Sequence, residues 1–256
     1  LIAIFSIYWK SRQEATLPMP LVTYCEYPVV NSSSAKSTLL DKSGFLLLEE
    51  FIGADFVEKI SAEACHLELD AGQGGLRNAE LRLESVREWL CSEQFVLKVS
   101  EFFEEDFKVL RCILFDKNPK NNWSVTWHQD RTVAVTAVFE AEGWGAWSIK
   151  GGVHHVQPPE SVLNQLVTLR VHLDDAMVDN GCLRVIPASH RLGVLSHGEI
   201  IEAVSAGVPY LCEAKASSTL VMRPLLIHSS KKATVPAQRR ILHIECMPHN
   251  LLPSAK

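Results

Sequence analysis

After Asp106 this sequence breaks into short β-rich runs with no repeated helical segment between them, and that change of texture limits the fold more than any other feature. The runs are Val109 to Phe115, Thr132 to Phe139, Leu166 to Leu173, Leu183 to Ile186, Thr219 to Met222, Leu225 to Ile227 and Ile241 to Cys246. Turn signals at Asn118-Pro119, Asp179-Asn180-Gly181 and Arg223-Pro224 separate them. A parallel sheet needs crossovers of a dozen residues or more, usually helices, so the expectation is a mainly β, antiparallel sandwich or barrel. Ahead of it, Phe56, Ile60, Ala64 and Leu67 recur at helical spacing over Asp55 to Leu69, until Gly72, Gly74 and Gly75 stop the pattern. Two further helices are expected over Glu84 to Cys91 and Glu93 to Phe103, with apolar stripes from Val86, Trp89, Leu90, Phe95, Val99 and Phe102. Together they form an N-terminal helical layer.

A chain of 256 residues is long enough for one substantial core. We expect a single domain over 41–256, preceded by an irregular N-terminal arm or non-native leader over 1–40, where Pro, Ser and Thr recur without a period. Leu1 to Trp9 is apolar but for Ser6, yet far shorter than the roughly 20 residues a spanning helix needs; Met19 is then a candidate natural start. With 25 Lys+Arg against 30 Asp+Glu and a net charge of -5, nucleic acid is excluded as a first reading. The seven cysteines are scattered and form no C-x-x-C pair, which argues against a disulfide framework or zinc site and suits a reducing cytoplasm.

Chemistry concentrates at Trp127-His128-Gln129-Asp130. An imidazole and a carboxylate two residues apart on a strand share a face. His228, closing the run Leu225-Leu226-Ile227 about a hundred residues later, supplies a third ligand if an antiparallel barrel brings it alongside. Two His and one carboxylate form the facial triad of non-haem iron(II) oxygenases, with open positions on the metal; zinc is not excluded by ligand type alone. Arg239 opens the last strand eleven residues after His228. An arginine fork there can grip the far carboxylate of a dicarboxylic co-substrate, and Ser230 could donate a further hydrogen bond. Taken singly, H-x-D is a common turn or surface pair, and Arg239 beside Arg240 reads as a strand end. Type, order and spacing agreeing together carry the weight.

At these residues the sequence resembles the phytanoyl-CoA dioxygenase family of iron(II)/2-oxoglutarate oxygenases. The likeness extends through Leu114-Phe115-Asp116-Lys117, Asn122-Trp123, Trp127 to Arg131, Asn180 to His190, and His228 to Arg239. The resemblance implies a double-stranded β-helix, His128, Asp130 and His228 as iron ligands, and Arg239 as anchor for the distal carboxylate of 2-oxoglutarate. Lys117, Asn122 and Thr168 are further candidates for hydrogen bonds to that co-substrate. Family members often have Gly where Ala188 stands. Asp130 occupies the position that related halogenases give to a small residue, so its carboxylate favours hydroxylation.

The implied activity consumes 2-oxoglutarate and O2, yields succinate and CO2, and hydroxylates a small organic metabolite, with no nucleic-acid or membrane partner evident. Glu140 to Gln165, with Trp144, Trp147 and four glycines, reads as a loop that could serve as a lid, and His154-His155 as part of a substrate-facing loop. His172, His190 and His243 read as structural histidines bonded to nearby backbone. Two rivals use the same residues differently: a cupin-like isomerase or hydrolase with another divalent metal, which Arg239 argues against, and a non-catalytic binding barrel, which the intact triad argues against.

Overall fold

The computed structural model describes residues 35–67 and 74–253. The run Leu1 to Trp9, Met19, Cys25, Gly72 and most of the expected arm lie outside the described residues. In chain order the first elements are α1 (Ala35–Ser43), β1 (Phe45–Leu48), α2 (Ala54–Ala64), β2 (Gly75–Arg77), α3 (Glu84–Leu90), α4 (Glu93–Ser100) and β3 (Phe107–Lys117). Then come β4 (Val125–His128), β5 (Val133–Val135), β6 (Gly145–Lys150), β7 (Val153–Gln157), α5 (Glu160–Leu163) and β8 (Val167–His172). The chain closes with β9 (Leu183–Val185), α6 (His197–Ala206), β10 (Tyr210–Cys212), β11 (Thr219–Met222), β12 (His228–Ser230) and β13 (Arg239–Pro248).

A six-stranded sheet ordered β1-β11-β8-β13-β3-β2 faces a four-stranded sheet ordered β10-β9-β12-β4, and every named strand pairing is antiparallel. Leu183, Val185 and Cys212 of the small sheet meet Leu220 and Met222 of the large one between them. This is a double-stranded β-helix with an N-terminal helical layer, as the sequence leads one to expect. Side chains alternate along each strand, so the large sheet has two unlike faces. Cys112, Leu114, Leu169, Val171, Leu242 and Ile244 point to the helices and join Trp89, Phe95 and Val99 in the main apolar core. The opposite face looks into the barrel. α4 is held by Ser92, whose hydroxyl accepts from the Phe95 amide, and α6 begins on a capping box formed by Ser196 and Glu199.

Several expectations are corrected. Helix α1 starts ahead of the expected boundary at Asp41, and its Leu40 is fully buried. Helix α2 ends at Ala64, before the glycines, and Gly75 belongs to a strand. Leu225 to Ile227 is no strand: Pro224 lacks an N–H, the Leu226 amide turns back to the Arg223 carbonyl at 3.1 Å, and the three residues plug the core instead. Thr132 to Phe139 contributes only β5. Glu140 to Gln165 is not a long loop either. β6 and β7 form a hairpin sheeted onto β5, closed by Gly151 and Gly152 at φ +58° and +78°, the two positive φ values that the tightest hairpin turns require. His154 and His155 therefore lie on a strand, and His155 is buried. Among the described residues no helix is long and apolar enough to cross a membrane.

Candidate active site

His128 ends β4 and His228 begins β12, and the two residues are paired across the strands, with ring centroids 4.1 Å apart. Each ring is oriented the same way. His128 Nδ1 lies 2.8 Å from the Thr126 carbonyl and His228 Nδ1 2.8 Å from that of Leu226. A carbonyl can only accept, so Nδ1 carries the proton in each neutral ring, and each Nε2 keeps its lone pair for a ligand. Both Nε2 atoms face Asp130, at 3.7 Å from Oδ1 and 3.6 Å from Oδ2. Asp130 itself lies just past the strand end. Its amide donates to the Pro224 carbonyl at 2.9 Å, and so the shared face comes from a bend, not from strand alternation as expected. One donor atom from each residue lies within 4.8 Å of the others. Two imidazole nitrogens and a carboxylate, poised this way, fit a divalent transition metal.

Gln129, between His128 and Asp130, turns away and fastens the loop. Its Nε2 donates to the Gly193 and Leu225 carbonyls at 2.8 Å each, and its Oε1 accepts from the Leu195 amide at 2.9 Å. Burial pushes the His228 pKa down to about 4. Burial also works to raise the Asp130 carboxyl, but His228, His243, His128 and Arg111 outweigh it and hold that carboxyl well below the usual range.

At one end of the barrel-facing side of the large sheet, Arg239 of β13 stands opposite Lys117 of β3. Arg239 is buried at 4 % exposure, and its Nε has no partner among the described residues. Burial and the nearby Arg170 lower its pKa to about 10. Its neighbour Arg240 points to the opposite face and holds Asp174 with two bonds, Nε to Oδ2 at 2.8 Å and a terminal nitrogen to Oδ1 at 2.7 Å. One arginine has its carboxylate; the other, among the described residues, has none. Lys117 Nζ donates to Ser230 Oγ at 3.0 Å and to the Lys231 carbonyl at 2.6 Å, and burial first, then Arg239 and Arg170, lower its pKa to about 7. Gly181 has φ +79°, and a Cβ there would meet the Lys231 carbonyl at 2.4 Å and Lys117 Nζ at 3.1 Å, so only glycine allows this approach.

The remaining candidates are placed differently from expectation. Ser230 gives its one proton to the Gly181 carbonyl at 3.0 Å and accepts from Lys117, so it orients the lysine. Asn122 is occupied on both sides of its amide by the backbone of Ala233, at 2.9 and 2.8 Å, and pins the loop after β12. Thr168 faces the barrel with a buried, unpartnered Oγ1, but it pairs with Glu245 at the far end of the sheet from Arg239. His172 and His190 do bond backbone carbonyls, of Ser218 at 3.2 Å and Asp41 at 3.0 Å. His243 does not. Its Nδ1 lies 3.1 Å from an Arg170 terminal nitrogen and its Nε2 3.1 Å from Glu245 Oε1, which Arg111 also grips. This Arg170–His243–Glu245–Arg111 chain escaped the sequence reading. The signal is His243 and Glu245, two residues apart in the otherwise apolar run Ile241 to Met247.

Residues 40–241 match the family model described as Phytanoyl-CoA dioxygenase (PhyH). No curated protein matches the sequence. Among solved structures, AviO1 from Streptomyces viridochromogenes Tue57 is similar with a TM-score of 0.64 at 20% identity, over 88% of this chain and 98% of that one. HygX from Streptomyces hygroscopicus, solved with nickel and 2-oxoglutarate bound, has a TM-score of 0.61 at 14% identity over 85% and 88%. SnoK, a non-heme alpha ketoglutarate dependent carbocyclase from nogalamycin biosynthesis, has 0.63 at 12% identity over 88% and 87%. At these identities the likeness is one of fold.

Proposed function

This chain belongs to the phytanoyl-CoA dioxygenase family, and on that premise we propose that it is an iron(II)- and 2-oxoglutarate-dependent dioxygenase that hydroxylates a small organic metabolite. His128, Asp130 and His228 hold the metal, Arg239 binds the distal carboxylate of 2-oxoglutarate, and Lys117, held by Ser230, adds a second positive charge. Bound iron with 2-oxoglutarate and O2 supplies the oxidising power, the co-substrate leaving as succinate and CO2. The protein's own share is to orient and to exclude water. The two backbone carbonyls fix the imidazole tautomers, Gln129 holds the ligand loop, and the buried cations receive a dianion.

The observation that carries this reading is Arg239. A guanidinium buried without a counter-ion costs stability, and the adjacent Arg240 already has its carboxylate in Asp174; a dicarboxylate reaching down from the triad removes that cost. Asp130 supports hydroxylation over halogenation, since it supplies a carboxylate where a halide would otherwise sit. The test is anaerobic titration of the purified chain with Fe(II) and then 2-oxoglutarate, followed by succinate release in air. One tightly held iron per chain, lost in His128→Ala and His228→Ala, is expected. Full iron occupancy in both variants would remove the assignment, and a labelled-oxygen product lacking the label would replace hydroxylation with desaturation or ring closure.

A further inference from the structure

A cavity of about 370 Å³ opens beside the candidate site, lined by Arg77, Ile113, Phe115 and Gly151 among others. Its volume suits a small metabolite. It shares the barrel-facing side of the large sheet: Ile113 pairs with His243, and the Phe115 ring lies 5.6 Å from the His243 ring. Gly75 brings β2 close, since a Cβ there would meet the Leu114 carbonyl at 2.6 Å.

Arg77 is the charged residue of the lining, and Lys150 and Arg111 lie close enough to act on one another electrostatically. The Arg77 stem lies against the turn of the β6–β7 hairpin, where a Cβ on Gly151 would stand 3.1 Å from Arg77 Cδ. Lys150, next to that turn, reaches Thr132 Oγ1 at 3.3 Å, two residues from Asp130. Arg111 lies on the same face of β3 as Ile113, with a buried Nε that has no partner, and the His155 Nδ1 is likewise buried and unpartnered. The acids within reach are committed elsewhere: Glu245 to Arg111 and His243, and Asp130 to the triad. Among the described residues no hydrogen bond or ion pair engages Arg77. Burial first and then Arg111 lower the pKa values of both Arg77 and Lys150, against a weaker upward pull from Glu245. Glu245 is taken by Arg111, and no described acid forms an ion pair with Arg77 or Lys150 in a chain whose net charge is -5. Two neighbouring cations without a paired acid, beside a cavity, are the footprint of a bound anion.

That anion is not the co-substrate. Arg77 is in register with Ile113, four residues from Lys117 on β3, about 13 Å at the rise of a strand, with Phe115 between them. We propose that the substrate carries an oxyanion, a carboxylate or a phosphate, held by Arg77 and Lys150 at the rim of this cavity while the rest of the molecule reaches toward the triad. This rests on the oxygenase reading above.

The experiment is calorimetric titration of the full chain, first with Fe(II) and 2-oxoglutarate to fill the Arg239 end, then with inorganic phosphate, pyrophosphate or butyrate. At least one probe is expected to bind, and the Arg77→Ala/Lys150→Ala double variant to weaken it about tenfold or more, with affinity for 2-oxoglutarate unchanged. A conservative Arg77→Lys/Lys150→Arg variant should keep most of the binding, which a mere folding defect would not allow. Preference for pyrophosphate identifies a phosphate ester and preference for butyrate a carboxylate. Failure of every probe to bind, or equal binding by the double variant, overturns the proposal. If Fe(II) and 2-oxoglutarate fail to bind but the probes still depend on Arg77 and Lys150, the oxygenase reading falls and the anion pocket loses its catalytic partner.

Discussion

The two faces of the large sheet are made by the same strands and could hardly differ more. Toward the helices β3, β8 and β13 present Cys112, Leu114, Leu169, Val171, Leu242 and Ile244, packed with Trp89 and Phe95. Toward the barrel the same strands present Arg111, Lys117, Thr168, Arg170, His172, Arg239, His243 and Glu245, seven of them buried. The first face stabilises. The second carries buried charge, paired from Arg111 through Glu245 to His243 but with no counter-ion at Arg239 among the described residues, which is what a preformed binding site looks like when apolar packing elsewhere tolerates its cost. Arg239 and Arg240, adjacent in sequence, fall on either side of this division.

The largest effect that can test the division is on the apolar face. Trp89→Ala is expected to lower unfolding free energy by about 3–5 kcal/mol, read from denaturant midpoints, while the protein still folded keeps its affinity for 2-oxoglutarate. A variant as stable as the parent would deny Trp89 its place in the core. Next, Arg239→Ala is expected to weaken 2-oxoglutarate by about 2–5 kcal/mol without loss of stability, whereas Arg240→Ala, which strands the half-buried Asp174, should lose stability and leave the co-substrate alone. Reversal of that pattern in paired titration and melting experiments would exchange the two faces.

A smaller effect comes from Lys117, whose pKa of about 7 lies below that of a free lysine. Below pH 7 its ammonium is already charged; above it, binding a dianion requires proton uptake. Affinity for 2-oxoglutarate should then fall by up to about tenfold per pH unit above 7, with proton uptake visible in buffers of different ionisation heat, and Lys117→Met should flatten the profile. A flat profile in the unmodified protein would mean that the ammonium does not face the co-substrate. Smallest of all, Ala188 sits at φ 61°, ψ 4°, where a side chain is strained. Ala188→Gly should gain about 0.5–1 kcal/mol in thermal melts with iron binding unchanged; a loss would show that the cost of glycine's freedom in the unfolded chain dominates there.

What the sequence made legible was what lies within a few residues. The local pattern places β11 to the residue and α3 and α4 within a few residues, and it puts the H-x-D pair at a strand edge, where His128 ends β4. Misreadings arose where local pattern and tertiary context diverge. Leu225 to Ile227 looks like a strand because a buried turn is as apolar as one, and the β6–β7 hairpin looks like a loop because its glycines, which fix its turn, were counted as flexibility. The link from Arg111 to Glu245 spans 134 residues and follows only from the pairing of β3 with β13. Asn122 bonds the backbone of a loop, and Thr168 lies at the end of the sheet away from Arg239, placements that depend on distant pairing.

The pairing of His128 with His228 also bears on time. Closing a chain of about 100 residues costs entropy that local turns avoid, and topologies built on such distant pairings fold slowly. During synthesis the H-x-D half of the site emerges long before its partner strand, so the nascent chain has no ligand set to offer. On the proposed reading, metal would meet its full ligand set only once the two strands are paired, and its contribution to stability would appear chiefly as slower unfolding.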